Sequence, residues 1–92
     1  IIHHLVITFD IPLREIAEIF SGIAKNLVIE FVPLHDEKVQ QILKTKPHQK
    51  AKYSRELFES AFSGLFIKKR QFIIEGNNRI IYLYERQSQE NN

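Results

Sequence analysis

The chain has 92 residues, of which 43% are hydrophobic and 26% charged, and its formal net charge is +2. These values are ordinary for a globular protein and allow one domain with a thin core. The chain has no cysteine, which excludes disulfides and thiolate catalysis and favours a reducing, cytoplasmic location. No apolar run is long enough to cross a bilayer, and no segment resembles a signal peptide, so no membrane partner is expected.

The amino-terminal residues form an apolar run, Ile1-Ile2-His3-His4-Leu5, and the chain contains no methionine. A native polypeptide starts with methionine, which is normally kept before a residue as bulky as isoleucine. We therefore interpret residues 1–92 as a single partial domain, the back portion of a longer protein. Half a domain carries half of a binding site without carrying out the reaction.

A helix is predicted from Pro12 to Ala24. Proline fits the first turn of a helix because its missing N–H costs nothing there, and Asp10 stands upstream as the expected cap. The apolar residues recur at helical spacing and form one stripe: Leu13, Ile16, Ala17, Phe20, Ile23 and Ala24. This pattern indicates an amphipathic helix with one buried face.

A strand is predicted from Leu27 to Val32, and Pro33 ends it. So little alternation between apolar and polar residues is typical of a strand covered on both faces, as in parallel sheets. Glu30 is the exception within this run. Two interpretations of Glu30 stay open: a strand-end carboxylate that faces water, or a functional group.

Two further helices are predicted in the middle of the chain. Asp36 caps the first, which carries Val39, Ile42 and Leu43. Ser54 caps the second, whose buried stripe consists of Leu57, Phe58, Ala61, Phe62 and Leu65. A polar connection from Lys44 to Lys52, interrupted by Pro47, joins the two helices.

The last predicted element is a hairpin. Phe66 to Glu75 leads into Arg79 to Glu85 through Gly76-Asn77-Asn78, whose residues accept positive φ. The second strand is apolar on both faces and is therefore placed inside a sheet. Gln87 to Asn92 is predicted to be a polar tail.

Several blocks of sequence, taken in order, resemble the carboxyl-terminal half of class I S-adenosylmethionine-dependent methyltransferases. These blocks are Ile2-His3-His4-Leu5, Ile11-Pro12-Leu13, Leu27 to Pro33, Ala61-Phe62-Ser63 and Ile80 to Arg86. The resemblance covers nearly the whole chain. It implies an α/β fold class: a partial Rossmann-like sheet (β-α-β plus a carboxyl-terminal antiparallel hairpin) with helices packed on it. In that frame Ile1-Ile2 ends the fourth strand, Leu27 to Val32 is the fifth, and the hairpin supplies the sixth and seventh.

The resemblance also implies site residues. His3 and His4 lie where the fourth strand meets the cleft, so one of them lines the pocket for the cofactor, S-adenosylmethionine, or for the acceptor. In the alternative interpretation, one histidine packs or hydrogen-bonds while the other faces water. The residues after the fifth strand are expected on the side of the unknown methyl acceptor: Glu30, Phe31, Pro33 and His35. No catalytic residue is assigned, because methyl transfer mainly requires positioning of the acceptor, and no metal site is expected.

The family's glycine-rich loop and its ribose-holding acidic residue are both absent. The three glycines, Gly22, Gly64 and Gly76, stand at predicted helix ends and a turn. The resemblance therefore implies a methyltransferase as the full-length enzyme. For this fragment alone we expect weak or no binding of S-adenosylmethionine.

A winged-helix nucleic-acid-binding domain is the alternative function. Its order of elements is similar, with Gly76-Asn77-Asn78 at the wing tip and Lys68-Lys69-Arg70 on the hairpin. Such a domain needs a recognition helix with basic or amide side chains. The helix after Ser54 offers Arg55 but also Glu56 and Glu59, so nucleic acid is not the favoured partner.

Two structural predictions follow from the methyltransferase interpretation. Leu27 to Val32 should lie between a parallel strand at the amino terminus and an antiparallel strand at Ile80 to Tyr84. If it pairs only with the edge of a winged hairpin, the methyltransferase interpretation is wrong. Self-association of the fragment is also expected, through an open strand edge and an incompletely covered stripe of Leu13, Ile16 and Phe20. On this hypothesis, polar substitutions at Ile16 and Phe20 weaken the association.

Overall fold

The computed structural model describes residues 1–88. They form an α/β fold in which a three-stranded antiparallel sheet packs against helices. The elements are α1 (Leu13–Ile23), β1 (Asn26–Phe31), α2 (Glu37–Thr45), α3 (Arg55–Ser63), β2 (Phe66–Ile73) and β3 (Ile80–Arg86). A π-helix (His4–Thr8) precedes α1, and a 3-10 helix (Pro47–Lys52) lies between α2 and α3. No helix within residues 1–88 is long and apolar enough to span a membrane.

Helix α1 forms where the apolar spacing predicts it and buries Leu13, Ile16 and Ala17. Pro12, rather than Asp10, is its N-cap residue, with φ −61° and ψ 143°. Asp10 instead has φ 56° and accepts a 2.9 Å hydrogen bond from Lys52 Nζ. The predicted incomplete covering of the stripe is wrong for Leu13 and Ile16, because α1 packs against α3 within the same chain. Polar substitutions at Ile16 would therefore disrupt the fold itself.

The amino-terminal segment is helical, so the prediction of a strand end at Ile1-Ile2 is wrong. Leu5 N–H donates to the Ile1 carbonyl at 3.2 Å, and Phe9 N–H donates to the His4 carbonyl at 3.2 Å. The buried apolar side chains of the segment are Ile2, Val6 and Ile7. Local hydrogen bonds satisfy the backbone while these side chains enter the core, which removes the need for a sheet partner.

The sheet has the order β1-β3-β2, so the last strand in sequence is the central one. β3 is antiparallel to both neighbours. Its first residue, Ile80, lies opposite Phe31 of β1 and opposite Ile73 of β2. The predicted antiparallel pairing of β1 with the last strand is confirmed. The predicted parallel neighbour is wrong: within residues 1–88, β1 pairs only with β3. β1 is therefore an edge strand, and Val28 on its outer face is 69% exposed.

One face of the sheet carries the core and the other is open. The cross-strand pairs Ile29–Tyr82 and Phe31–Ile80 are buried on the core face. The opposite face carries the exposed Val28 beside the half-buried Leu83. The prediction that β1 is covered on both faces is therefore wrong.

Aromatic side chains form the centre of the core. Phe58 of α3 is fully buried, and its ring centroid lies 4.6 Å from that of Phe62, 5.0 Å from Tyr82 and 5.2 Å from Phe31. These distances fit the offset and tilted arrangements that aromatic pairs prefer. The cluster joins α3 to both β1 and β3.

The caps of α2 and α3 and the hairpin turn agree with the sequence predictions. Asp36 accepts a hydrogen bond from Lys38 N–H at 2.9 Å, and Ser54 accepts one from Leu57 N–H at 3.1 Å. In the turn between β2 and β3, Gly76 has φ 100° and Asn78 has φ 58°. These left-handed conformations explain why glycine and asparagine occupy the turn.

Two segments predicted to be polar are more ordered than expected. The connection from Lys44 to Lys52 contains the 3-10 helix and buries Gln49. At the carboxyl end, Gln87 N–H donates to the Leu65 carbonyl and Gln87 Nε2 donates to the Ser63 carbonyl, both at 2.9 Å. Gln87 is therefore fixed to the end of α3, and residues 89–92 of the predicted tail lie outside the described residues.

Candidate functional site at the carboxyl end of β1

Charged side chains from three elements meet at the carboxyl end of β1. Because β1 and β3 are antiparallel, the end of β1 lies beside the start of β3, where Arg79 is located. Arg79 Nη1 lies 3.6 Å from Glu30 Oε1, and Arg79 Nη2 lies 3.2 Å from Asp36 Oδ2. One guanidinium thus joins the end of β1 to the start of α2, and these three residues are named the charged cluster.

Asp36 is the most enclosed carboxylate of the charged cluster, with its side chain 10% exposed. Burial alone raises the pKa of this carboxyl, but the hydrogen bond from Lys38 N–H and the contact with Arg79 outweigh it and lower the pKa below its usual value. Asp36 is therefore ionised at neutral pH and both caps α2 and holds Arg79.

Tyr53 supports the strand end from the core side. It is fully buried, its ring stacks on Phe31 at a centroid distance of 5.0 Å, and its hydroxyl donates to the Val32 carbonyl. Burial raises the pKa of the Tyr53 hydroxyl, so the group stays protonated and remains a donor. Val32 follows the last residue of β1 that pairs with β3, so the Tyr53 hydroxyl supplies its carbonyl with a hydrogen-bond partner.

His3 lies near the charged cluster, whereas His4 faces solvent. The side chain of His3 is 7% exposed and its Nδ1 has no hydrogen-bond partner among the described residues. Burial is the largest cause that lowers the pKa of His3 to about 4, and the charge of Asp36 opposes this shift. The imidazole is neutral at pH 7. Its ring centroid lies 4.4 Å from that of His4, which is exposed.

The free energy of unfolding is expected to fall as the pH drops from 6.5 to 4. His3 has its ordinary pKa of 6.5 when unfolded and about 4 when folded, so the unfolded state binds more protons in this range. The loss should reach about 3 kcal/mol at pH 4. Chemical denaturation at several pH values measures it. His3→Leu should remove most of this dependence, whereas His35→Gln, at an exposed histidine, should retain it. Equal pH profiles for all three proteins would contradict the expectation.

The residues predicted for the site are only partly brought together. His3 and Glu30 lie in or near the charged cluster, and Phe31 is a core residue. Pro33 is half-buried, and His35 and His4 are exposed. These placements do not test whether any of them binds a cofactor or an acceptor, which stays a prediction.

Sequence reasoning missed the roles of Arg79, Asp36 and Tyr53. Asp36 was predicted only as a helix cap, and Arg79 only as the first residue after a turn. The pairing of the last strand with β1 was the one signal that placed Arg79 beside Glu30. No sequence pattern indicated that the Tyr53 hydroxyl reaches Val32.

The binding of S-adenosylmethionine by this chain stays a prediction. Gly22 and Gly76 lie in open surroundings, since a Cβ added at either would meet nothing within 4 Å. Both carboxylates of the charged cluster are already paired with Arg79. A large open cleft of about 780 Å³ lies at the opposite end of the sheet, where it is lined by Lys25, Glu85 and Arg86 among others. Within residues 1–88, no group of three or more metal-ligating side chains is present.

Comparison with known proteins gives one distant relative. The chain is 34% identical over 84 residues to the nodulation protein NoeA of Rhizobium meliloti (strain 1021). The match covers 91% of this chain but 18% of that protein, so the chain spans less than a fifth of the length of its relative. No protein-family model matches the chain, and no solved structure matches it.

Proposed function

We propose that this chain is the carboxyl-terminal part of an S-adenosylmethionine-dependent methyltransferase and supplies the acceptor-side flank of its cleft. The order of the sheet, β1-β3-β2, carries the proposal. The last strand lies antiparallel beside β1, as the resemblance places the last hairpin strand antiparallel beside the fifth strand. The proposal concerns the longer enzyme, and the fragment alone is expected to be inactive.

The arrangement of the helices gives further support. α1 precedes β1 and α3 follows it, and the two helices pack against each other beside the sheet. Helices before and after a strand of a Rossmann-like sheet adopt this arrangement when both connections run over the same face. The opposite face of the sheet, around Val28 and Leu83, is open.

The charged cluster lies where a ligand of an α/β sheet binds, at the carboxyl end of a strand. Arg79 fixes Glu30 and Asp36, and His3 offers a buried, neutral nitrogen, Nδ1, that has no hydrogen-bond partner within residues 1–88. Such groups orient an acceptor through hydrogen bonds and exclude water, which is the main task of the protein in methyl transfer. S-adenosylmethionine, when bound, supplies the methyl group from its sulfonium centre.

Calorimetry with S-adenosylmethionine tests this proposal. The 92-residue chain should show no micromolar binding, because its residues offer neither the glycine loop nor the ribose-holding acid. The polypeptide encoded by the complete reading frame should bind the cofactor, and a glycine-rich loop should follow its first strand. Micromolar binding by the isolated chain would contradict the proposal that the cofactor-binding residues lie in the rest of the enzyme. A complete polypeptide that neither contains the loop nor binds the cofactor would overturn the proposal.

A winged-helix domain is the second candidate function. The pairing of β1 with the hairpin alone, within residues 1–88, favours it. The surface of α3 weighs against it, because Arg55 is tied to Glu59 at 3.1 Å and Glu56 is exposed beside it. Fluorescence anisotropy with duplex DNA separates the candidates: a winged helix should bind with a strong dependence on salt, whereas the methyltransferase fragment should not bind.

A further inference from the structure

One long edge of β1 carries backbone groups that have no partner within residues 1–88. The opposite edge of β1 faces β3. There the Arg86 N–H of β3 donates to the carbonyl of Lys25, the residue just before β1, at 2.7 Å. Residues of an antiparallel strand direct their backbone groups alternately to one side and the other. The odd-numbered residues of β1 therefore bond to β3, and Asn26, Val28 and Glu30 direct their N–H and C=O groups to the open edge.

The other edge of the sheet, on β2, is protected against pairing. The register between β2 and β3 shifts between Lys68 and Arg70, and lysines occupy this irregular part of the strand. Bulges and charged residues are the features with which proteins prevent edge-to-edge association. β1 has an uninterrupted register with β3, and the apolar Val28 stands at the middle of its open edge.

We propose that the open edge of β1 pairs with the same edge of a second copy of this chain, antiparallel and centred on Val28. Side chains that lie opposite each other must share a face of the sheet, so the two residue numbers of each pair must have the same parity. In the register centred on Val28, the outward-directed backbone groups of both strands lie opposite each other. Each pair can then exchange both of its hydrogen bonds.

The side chains of β1 complement one another in this register. The two Val28 side chains meet on the two-fold axis and extend an apolar stripe that begins at Leu83, the partner of Val28 in β3. The amide of Asn26 lies opposite the carboxylate of Glu30 of the second copy, to which it can donate a hydrogen bond. A self-complementary patch of this kind is what a two-fold dimer requires. The inference concerns the 92-residue chain by itself, because in the longer enzyme of the methyltransferase proposal a parallel strand would occupy the same edge of β1.

Cysteine cross-linking tests the register, since the chain has no cysteine of its own. Val28→Cys places two thiols across the axis, with Cα atoms about 5.5 Å apart, which suits a disulfide. Mild oxidation should convert most of this variant to a covalent dimer. Ile73→Cys, at a 58% exposed residue of β2, is the matched control and should form little covalent dimer. Equal cross-linking of both variants would overturn the proposed register.

Sedimentation equilibrium tests the association itself. Val28→Pro removes one outward N–H per chain but no hydrogen bond to β3, so the fold should be retained and the dissociation constant of the dimer should rise about 10- to 100-fold. Val28→Thr keeps the N–H and should remain dimeric. Circular dichroism verifies that both variants fold. A monomeric unsubstituted chain at high concentration would overturn the proposal and leave the edge to a strand from elsewhere in a longer polypeptide.

Discussion

Replacing Phe58 with alanine is expected to lower the free energy of unfolding by about 3–5 kcal/mol. Phe58 is fully buried, and its ring contacts Phe31, Phe62 and Tyr82 from three elements. Alanine would leave a cavity at the point where α3 meets β1 and β3, because the neighbouring rings are held by their own strands and helix. Urea denaturation followed by circular dichroism measures the change.

Leu57→Ala is the matched control for Phe58→Ala. Leu57 is the preceding residue of α3 but is 44% exposed, so its truncation should cost about 1 kcal/mol or less. Phe58→Leu keeps most of the volume and should cost less than Phe58→Ala, which provides a measurement if the alanine variant does not fold. Similar losses for Leu57→Ala and Phe58→Ala would show that Phe58 is not central to the core.

Replacing Arg79 with alanine is expected to lower the free energy of unfolding by about 2–3 kcal/mol, since it leaves the carboxylate of Asp36 enclosed without its cation. The side chain of Arg79 is 25% exposed and that of Asp36 10%. Arg79→Lys keeps the charge but loses the paired geometry and should give an intermediate loss. Thermal or urea unfolding at pH 7 measures these changes.

Arg14→Ala provides the control for an exposed ion pair. Arg14 Nε lies 3.7 Å from Glu18 Oε1, and both side chains are mostly exposed, so the loss should stay below about 0.5 kcal/mol. The effect of Arg79→Ala should also depend on pH. The pKa of Asp36 is lowered in the folded state, so its stabilising contribution is complete above the ordinary value of 3.8 and is lost as the pH falls through the folded value. An Arg79→Ala loss that equals that of Arg14→Ala would contradict a structural role for the charged cluster.

Local patterns were sufficient to predict most of the secondary structure. The spacing of apolar residues predicted α1, and the oxygen-bearing caps Asp36 and Ser54 marked the starts of α2 and α3. The residues of Gly76-Asn77-Asn78 predicted the hairpin. These predictions depend on interactions between residues a few positions apart, which a sequence displays directly.

The start of the chain shows where local patterns fail. The resemblance predicts the end of a strand at Ile1-Ile2, yet the chain is helical there, and residues 4–8 form a π-helix whose side chains Val6 and Ile7 enter the core. A short apolar run fits a buried strand and a buried helix equally well, so packing against the rest of the chain decides between them. The strand end at Ile1-Ile2 was predicted from the family resemblance alone, and within residues 1–88 no strand pairs with this segment.

Apolar spacing, caps and turn residues predicted the three α-helices, the hairpin and the apolar face that closes the core. The position of β1 at the edge of the sheet follows from the packing of the whole chain. The same holds for the contacts of Arg79 with Glu30 and Asp36, each more than forty residues away from it in sequence. Helix spacing, caps and turns are encoded within one or two turns of backbone. Strand partners and charge pairs instead depend on which distant segments the core brings together, and no local pattern records that choice.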